Sequence, residues 1–201
     1  HYTRPAEFSG WEVPDVLLKL GFGFVEVGTV TPLAQSGNPR PRLFRLDRDQ
    51  GVINRLGFNN EGAEAIAAKL GRLQANGQWP KIPLGLNLGR TKIVETKDAV
   101  ADFLSCFEAL FSHGDFFTLN VSSPNTPNLR DLQEKALLRE LLYAVQEKNN
   151  ELATRAKTAP KAVFVKIAPD MEFSQVDEII NEACNAGLTG IVATNATAFM
   201  R

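Results

Sequence analysis

The stretch 84-LGLNLGRTKIVETKDAVADFLSCFEALFSHGDFFTLNV-121 contains a strand, a helix and a second strand in direct succession. Residues 84–88 form a short apolar run that ends at Gly89, and residues 116–121 form a second such run. Between them, apolar residues recur every three or four positions over residues 100–111, which is typical of a buried helix face. A strand followed by a helix and another strand predicts a parallel β/α unit.

The same alternation continues on both sides of this unit. The sequence predicts further strands at residues 24–27, 163–167 and 190–194, and further helices around residues 66–73, 138–145 and 173–183. Right-handed crossovers between parallel strands place the carboxyl end of every strand at one edge of the sheet, where such folds carry their chemistry. The residues just after each strand are therefore the candidate functional residues.

Composition narrows the class of protein. The chain has 201 residues, 44% hydrophobic and 22% charged, with a net charge of −1, so no bulk field attracts nucleic acid. No stretch approaches the roughly 18 apolar residues of a membrane span. We therefore predict a soluble domain, which can still belong to a membrane-associated protein. Cys106 and Cys184 are predicted to be buried thiols without a disulfide or a metal site, and His113 a solvated loop residue.

Two segments lie between the predicted elements. Residues 31–60 contain prolines that argue against a helix, so we expect an inserted hairpin or loop across the mouth of the sheet. Four of the arginines in this insertion are predicted to form a solvated face rather than a binding patch: Arg40, Arg42, Arg45 and Arg48. Residues 148–161 are polar and are predicted to be a surface connection.

Amide and hydroxyl side chains gather at the predicted strand ends. The candidates are Gly28, Thr29, Asn59, Asn60, Asn87, Asn120, Ser122, Ser123, Asn125, Thr126, Thr194 and Asn195. Each alone also fits a helix cap, a turn or an edge position. Lys166 lies among apolar residues, where an ammonium is costly to bury without an anion, so we predict that it faces a ligand. Together, one cation and several uncharged donors and acceptors favour a planar heterocycle as the ligand.

The loop 122-SSPNTPNLR-130 has no charged residue before Arg130 and is predicted to be a lid hinged by Pro124 and Pro127. No competing motif is present. The sequence contains neither a phosphate-binding G-x-x-x-x-G-K-S/T loop nor an H-E-x-x-H metal motif nor a nucleophile elbow.

Seven short motifs together resemble the class 2 dihydroorotate dehydrogenases. They are 24-FVEVGTVTP-32, 37-GNPRPR-42, 54-NRLGFNN-60, 84-LGLNLG-89, 120-NVSSPNT-126, 165-VKIAPD-170 and 193-ATN-195, and they occur in the order of that family. The resemblance covers about residues 12–197. It implies a (β/α)8 TIM barrel that binds FMN and oxidises dihydroorotate to orotate in pyrimidine biosynthesis, with a membrane quinone as electron acceptor.

The resemblance also implies roles for individual residues. Ser123 corresponds to the base that takes the C5 proton while the C6 hydride passes to flavin N5, and a serine at this position, rather than a cysteine, indicates class 2. The amides that hold orotate correspond to Asn59, Asn120, Asn125 and Asn195. The flavin contacts correspond to Gly28, Thr29, Asn87, Asn120, Lys166 and Thr194. No metal is expected, and Lys166 would favour the negative charge of the reduced flavin ring.

The chain departs from the family pattern at both ends. The family opens its barrel with a motif close to Ala-Gly-Phe-Asp-Lys, whereas residues 6–12 here read AEFSGWE and lack the lysine. The N-terminal segment of the quinone tunnel and the last two β/α units are also absent. Residues 1–201 are thus expected to form one partial, FMN-binding barrel domain. The alternatives are a catalytically inactive truncated remnant of this enzyme and another flavin barrel that acts on pyrimidines.

The resemblance extends to partners and location. It implies dihydroorotate or orotate and a quinone as partners, no nucleic acid, and a monomer in the full-length form. Peripheral attachment to a membrane, through a segment absent here, is expected at the cytoplasmic face of a bacterial inner membrane, or at the mitochondrial inner membrane in a eukaryote.

Overall fold

The computed structural model describes residues 3–4 and 19–197. Its strands are β1 (Thr3–Arg4), β2 (Val25–Val30), β3 (Leu43–Leu46), β4 (Gly51–Asn54), β5 (Leu84–Leu88), β6 (Phe116–Asn120), β7 (Ala162–Ile167) and β8 (Gly190–Ala193). Its helices are α1 (Ala63–Ala75), α2 (Ala99–Leu110), α3 (Lys135–Ala156) and α4 (Phe173–Asn185). Each strand and helix predicted from periodicity is confirmed.

Six strands form one sheet in the order β1-β2-β5-β6-β7-β8, and all neighbouring pairs are parallel. Helices α1 to α4 each connect one strand of this sheet to the next, which confirms the predicted β/α units. Beside β2, the position for an opening strand is taken by the short β1, with Thr3 opposite Glu26. The AEFSGWE stretch at residues 6–12, where the family lysine is missing, lies outside the described residues.

The two faces of the sheet differ in chemistry because successive side chains on a strand point to opposite sides. One face carries the apolar side chains that are buried against the helices: Val25, Leu84, Leu86, Leu88, Phe117, Leu119, Val163 and Val165. The other face carries Glu26, Asn87, Thr118, Asn120 and Lys166, together with glycine at position 85. The Phe116 ring lies over Gly85, where an added Cβ would be 2.1 Å from its Cζ atom. The polar face therefore forms the wall from which the site is built.

The predicted hairpin is present as strands β3 and β4, which pair antiparallel with Leu43 opposite Asn54. Its base is closed by two backbone hydrogen bonds of 3.0 Å between Gln35 and Asn60. Three of its four arginines are exposed, as predicted, but Arg42 is buried, because its guanidinium donates to the carbonyls of Ser36 and Asn38 at 2.6 and 3.1 Å. The prediction of a solvated Arg42 is therefore wrong.

The prediction that residues 148–161 form a surface connection is wrong for residues 148–156 and is confirmed only for residues 157–161. Helix α3 continues to Ala156 and ends where Lys157 adopts a left-handed conformation with φ 56°. The polar residue Asn149 is 1% exposed and replaces missing backbone partners at the start of β7. Its side chain accepts from the Lys161 N–H and donates to the Lys161 carbonyl, both at 2.9 Å. A buried polar side chain thus joins the helix to the residue that precedes β7.

The cysteines and His113 differ in part from expectation. Cys106 is buried, and burial raises the pKa of its thiol, but Cys184 is exposed on α4. No group of three or more His, Cys, Asp or Glu residues able to hold a metal occurs among residues 3–4 and 19–197. His113 is half-buried, and its Nδ1 lies 3.0 Å from Gln74 Oε1. Within the part of the chain that is described, no helix is long and apolar enough to span a bilayer.

Candidate active site

A cavity opens at the carboxyl edge of the parallel sheet. The segment at the base of the β3–β4 hairpin covers it. It is lined by Gly28, Thr29, Asn54, Leu56, Gly57, Phe58, Asn59, Asn87, Asn120, Ser123, Asn125, Lys166 and Asn195. Strands β2, β5, β6 and β7 each contribute side chains from their last residues, and Asn195 follows β8. Segments that are far apart in sequence therefore meet at one site.

Nine of the ten predicted site residues line this cavity. The exception is Thr194, which is exposed and whose hydroxyl donates to the carbonyl of Asn195 at 3.2 Å. Sequence reasoning did not single out Asn54 and Leu56, although both belong to the 54-NRLGFNN-60 motif. Only the folding of the inserted segment over the sheet edge shows that this motif faces the candidate site.

The amides of the site form a connected hydrogen-bond network. The Asn195 side-chain amide donates to Ser122 Oγ at 3.0 Å, and that hydroxyl donates to Asn120 Oδ1 at 3.0 Å. Asn120 Nδ2 in turn donates to Thr29 Oγ1 at 3.1 Å and to Asn87 Oδ1 at 3.2 Å. Thr29 closes the group by donating to Asn87 Oδ1 at 2.6 Å. The amide orientations therefore depend on one another.

The network also includes a buried carboxyl group that the sequence analysis did not identify. Glu26 on β2 is 1% exposed. Its Oε1 accepts from Asn87 Nδ2 at 3.0 Å, and its Oε2 accepts from the Thr118 hydroxyl at 2.6 Å. The available signal was a charged residue in an otherwise apolar strand, since buried acidic groups are rare unless they are paired.

Ser123 lies at the start of the loop after β6 and is 4% exposed. Its Oγ accepts a hydrogen bond from the backbone N–H of Asn125 at 3.3 Å. The Asn125 side chain reaches the hairpin, where it donates to Asn54 Oδ1 at 3.3 Å. The hydroxyl of Thr126, on the same loop, is buried and has no hydrogen-bond partner within the described ranges. The loop therefore positions Ser123 between the sheet and the hairpin.

Two arginines hold this loop against the sheet. Arg90, 3% exposed, donates to the backbone carbonyls of Pro127 and Val94. Burial lowers the pKa of Arg90, an effect that the nearby Asp102 carboxylate opposes. Burial likewise raises the pKa of Asp102, and the Thr91 N–H, which donates to it at 2.7 Å, opposes that change.

The second arginine acts from the far end of the loop. Arg130 Nε donates to the Ser122 carbonyl at 3.1 Å, and its Nη1 lies 3.1 Å from Asp170 Oδ2, in the segment after β7. This loop is therefore restrained at both ends, which is more than the two prolines alone predict.

Two polar groups of the cavity lack a protein partner. The Lys166 ammonium, half-buried on β7, makes no hydrogen bond or ion pair within residues 3–4 and 19–197, and the buried Asn59 Nδ2 has no acceptor there either. A buried donor without an acceptor costs about 1–3 kcal/mol. Both observations favour a ligand that supplies hydrogen-bond acceptors. The part of the ligand beside Lys166 should be electron-rich.

Comparison with known proteins identifies the same scaffold. The family model described as dihydroorotate dehydrogenase matches residues 10–201. "Dihydroorotate dehydrogenase (quinone)" of Bradyrhizobium sp. is 47% identical over 187 residues, which are 92% of this chain and 49% of that protein. The protein of the same name from Synechococcus sp. is 51% identical over 178 residues, 89% of this chain and 44% of that protein.

A crystal structure supports the fold independently. DHODH from Eimeria tenella, in complex with ferulenol, superposes with a TM-score of 0.86 at 35% sequence identity, covering 95% of this chain and 55% of that one. The predicted incomplete (β/α) barrel is thereby confirmed. The chain spans about half the length of the curated relatives it matches.

Proposed function

The chain belongs to the dihydroorotate dehydrogenase family, and we propose that the whole protein oxidises dihydroorotate to orotate, with FMN as cofactor and a quinone as electron acceptor. The observation that carries the proposal is the convergence of four amides, Ser123 and Lys166 on one cavity. Such a set of neutral donors and acceptors suits a pyrimidine ring, whose carbonyl and N–H groups need partners of both kinds. The quinone is proposed from the name of the relatives, dihydroorotate dehydrogenase (quinone).

The four amides assigned to the substrate come from two sides of the cavity. Asn59 and Asn125 lie on the hairpin side of the cavity, whereas Asn120 and Asn195 lie on the sheet side. A flat ring between the two sides could contact all four side chains. We assign substrate binding to them, and the unpartnered Asn59 Nδ2 is the donor most in need of a substrate acceptor.

The remaining wall of the cavity fits a flavin. Gly28, Thr29, Asn87, Asn120 and Lys166 would hold FMN, which supplies a hydride acceptor when it is bound. Gly28 has φ +138°, and an added Cβ would lie 2.5 Å from the Asn87 carbonyl oxygen, so only glycine fits this close approach. The Lys166 ammonium would stabilise negative charge on the ring. Thr194, whose hydroxyl donates to the Asn195 carbonyl, is a weaker candidate for this role.

We assign proton removal at the substrate to Ser123. Its oxygen already accepts the Asn125 N–H, a contact that favours a partial negative charge on that oxygen as its proton leaves. A serine hydroxyl is a weak base on its own, so a closed and dry site is needed. Arg90 and Arg130 support this role by holding the loop that carries Ser123 against the sheet.

We infer the location of the whole protein from the quinone, and its monomeric state from the family resemblance. We propose peripheral association with a bacterial inner membrane at its cytoplasmic face, or with the mitochondrial inner membrane, and a monomeric enzyme. Residues 1–201 then form one partial FMN-binding barrel domain of it.

The test is an assay of the whole protein. We expect purified protein to contain FMN and to reduce a quinone only when dihydroorotate is added, with orotate as the product identified by chromatography. Bound FMN without dihydroorotate turnover, but with turnover of another reduced pyrimidine, would favour a different flavin barrel. Absence of both flavin and turnover would indicate an inactive remnant.

A further inference from the structure

A carboxyl group lies beneath the candidate site without lining it. Glu26 is 1% exposed, and it points from β2 to the polar face of the sheet. Its two oxygens accept from Asn87 on β5 and from Thr118 on β6. The strands themselves are already paired by backbone hydrogen bonds. The role of Glu26 must therefore be sought in the side chains that it contacts.

An asparagine side chain can fill the same space in two orientations. Rotation by about 180° exchanges the amide oxygen for the NH2 group, and only the neighbouring donors and acceptors decide between the two. A carboxylate offers acceptors alone. Because Glu26 only accepts, the Nδ2 atom of Asn87 must face the carboxylate. Its Oδ1 atom then faces Thr29 and Asn120.

That choice passes on through the network. Because Asn87 presents an oxygen, Asn120 must present its Nδ2 atom to it, which leaves Asn120 Oδ1 to accept from the Ser122 hydroxyl. Ser122 Oγ is then an acceptor for Asn195 Nδ2. Each donor in the series from Asn195 to Asn87 thus points toward Glu26. The buried carboxylate is the terminal acceptor of the whole series.

We propose that Glu26 is a positioning residue that fixes which atoms of Asn87, Asn120 and Asn195 face the cofactor and the substrate. This inference rests on the proposed function, because those asparagines are assigned there to flavin and pyrimidine. Glu26 touches neither ligand in this assignment. It acts through Asn87 by excluding the flipped amide, in which Asn87 Oδ1 would face a carboxylate oxygen of Glu26.

The first test compares three variants of the whole protein. Glu26→Leu removes both acceptors. Glu26→Gln keeps an acceptor for Asn87, and the Thr118 hydroxyl can reverse to accept from the NH2 group of the new glutamine. Thr118→Val removes only the contact between Thr118 and Glu26. The readouts are the Kd of FMN for the apo-protein, from quenching of flavin fluorescence, and KM and kcat for dihydroorotate. The FMN titration does not depend on turnover.

We expect Glu26→Leu to raise the Kd of FMN about tenfold, the effect of roughly 1.4 kcal/mol from one unpaired buried group, and to raise KM. In Glu26→Gln and Thr118→Val, the Kd of FMN and the KM for dihydroorotate should stay within about threefold of their values in the unaltered protein. Unchanged FMN affinity and KM in Glu26→Leu would overturn the proposal, as would equal damage in all three variants. If the unaltered protein bound FMN but left dihydroorotate unreacted, and Glu26→Leu still weakened FMN binding, the proposed function would fail while the positioning role stood.

A swapped pair keeps the proposal testable if Glu26→Leu does not fold. Asn87→Asp places two carboxyl groups in contact and should lose FMN binding. Adding Glu26→Gln to it restores a donor–acceptor pair in the reverse direction and leaves an oxygen facing Thr29 and Asn120. The double variant should recover most of the FMN affinity, which a double-mutant cycle measures. A double variant that bound FMN no more tightly than Asn87→Asp would show that Glu26 does not act by orienting the side chain at position 87.

Discussion

Arg90 donates a hydrogen bond to the backbone carbonyl of Pro127, and so ties the end of β5 to the loop that carries Ser123. The same guanidinium holds the Val94 carbonyl through another nitrogen, and the residue is 3% exposed. One planar cation thus bridges two loops at the rim of the cavity. A lysine could reach only one of the two carbonyls with comparable geometry, because its ammonium is a point charge without a fixed fork.

Arg90→Lys should therefore loosen the Ser123 loop more than it affects the flavin side of the cavity. We expect kcat/KM for dihydroorotate to fall about tenfold and the free energy of unfolding to fall by about 1–3 kcal/mol, the cost of a buried carbonyl left without a donor. Steady-state kinetics and urea denaturation measure both. Arg155→Lys, at an exposed position on α3, is the matched control. Equal effects in both variants would contradict the bridge.

Ser123→Ala should abolish proton removal and leave the cofactor bound. Loss of a positioned base costs about 10²–10⁴-fold in rate, so kcat should fall by that order. The FMN content should be unchanged, because Ser123 is assigned to the substrate. Ser105→Ala, at an exposed serine of α2, controls for loss of a hydroxyl elsewhere. Retention of full turnover in Ser123→Ala would eliminate this residue as the base.

Lys166→Met should weaken FMN binding. The ammonium has no partner within the described residues, so removing it leaves no protein acceptor unsatisfied, and any loss reports on the ligand. A charged hydrogen bond is worth about 1.5–3 kcal/mol, which corresponds to a Kd for FMN that is raised about 10- to 100-fold. Lys97→Met, with its side chain 73% exposed, is the control. An unaltered Kd would place the flavin away from Lys166.

His113→Gln should remove part of the pH dependence of stability. Burial lowers the pKa of His113 from 6.5, so the unfolded chain binds its proton more readily than the folded chain does. Stability is therefore lost as the pH falls through the unfolded pKa, and the loss levels off below the folded one. Glutamine keeps a donor for Gln74 but does not titrate in this range. Urea midpoints above and below the usual histidine pKa should differ less in the variant than in the parent.

The sequence predicts those features that follow from short-range periodicity. Residues 84–88 alternate leucine with Gly85 and Asn87, and the structure turns the leucines to the helices and Asn87 to the polar face. Because parallel strands align their carboxyl ends, that alternation also predicts that Asn87, Asn120 and Lys166 meet. Eight of the nine candidate residues that line the cavity lie at or just after the end of a parallel strand, whereas Asn59 lies in the inserted segment and was named through its motif.

Contacts between distant segments could not be predicted in the same way. Thr118 lies 92 residues from Glu26, and Asn125 lies 71 residues from Asn54, yet each pair is joined by a hydrogen bond. Neither residue of such a pair carries a local signal of its partner. The prediction for the polar end of α3 was wrong for a related reason. The sequence alone does not distinguish a solvated asparagine from a buried one that binds the backbone before a later strand.

Asn149→Ala tests that last contact. The side chain is the partner of both the N–H and the carbonyl of Lys161, immediately before β7, and alanine would remove both of these hydrogen bonds. We expect the free energy of unfolding to fall by about 1–3 kcal/mol. Asn150→Ala is the matched control, since the neighbouring amide on the same helix is exposed and alanine favours the helix there. Chemical denaturation of both variants decides the matter: a loss in Asn149→Ala no larger than that in Asn150→Ala would mean that the buried amide contributes nothing beyond helix propensity.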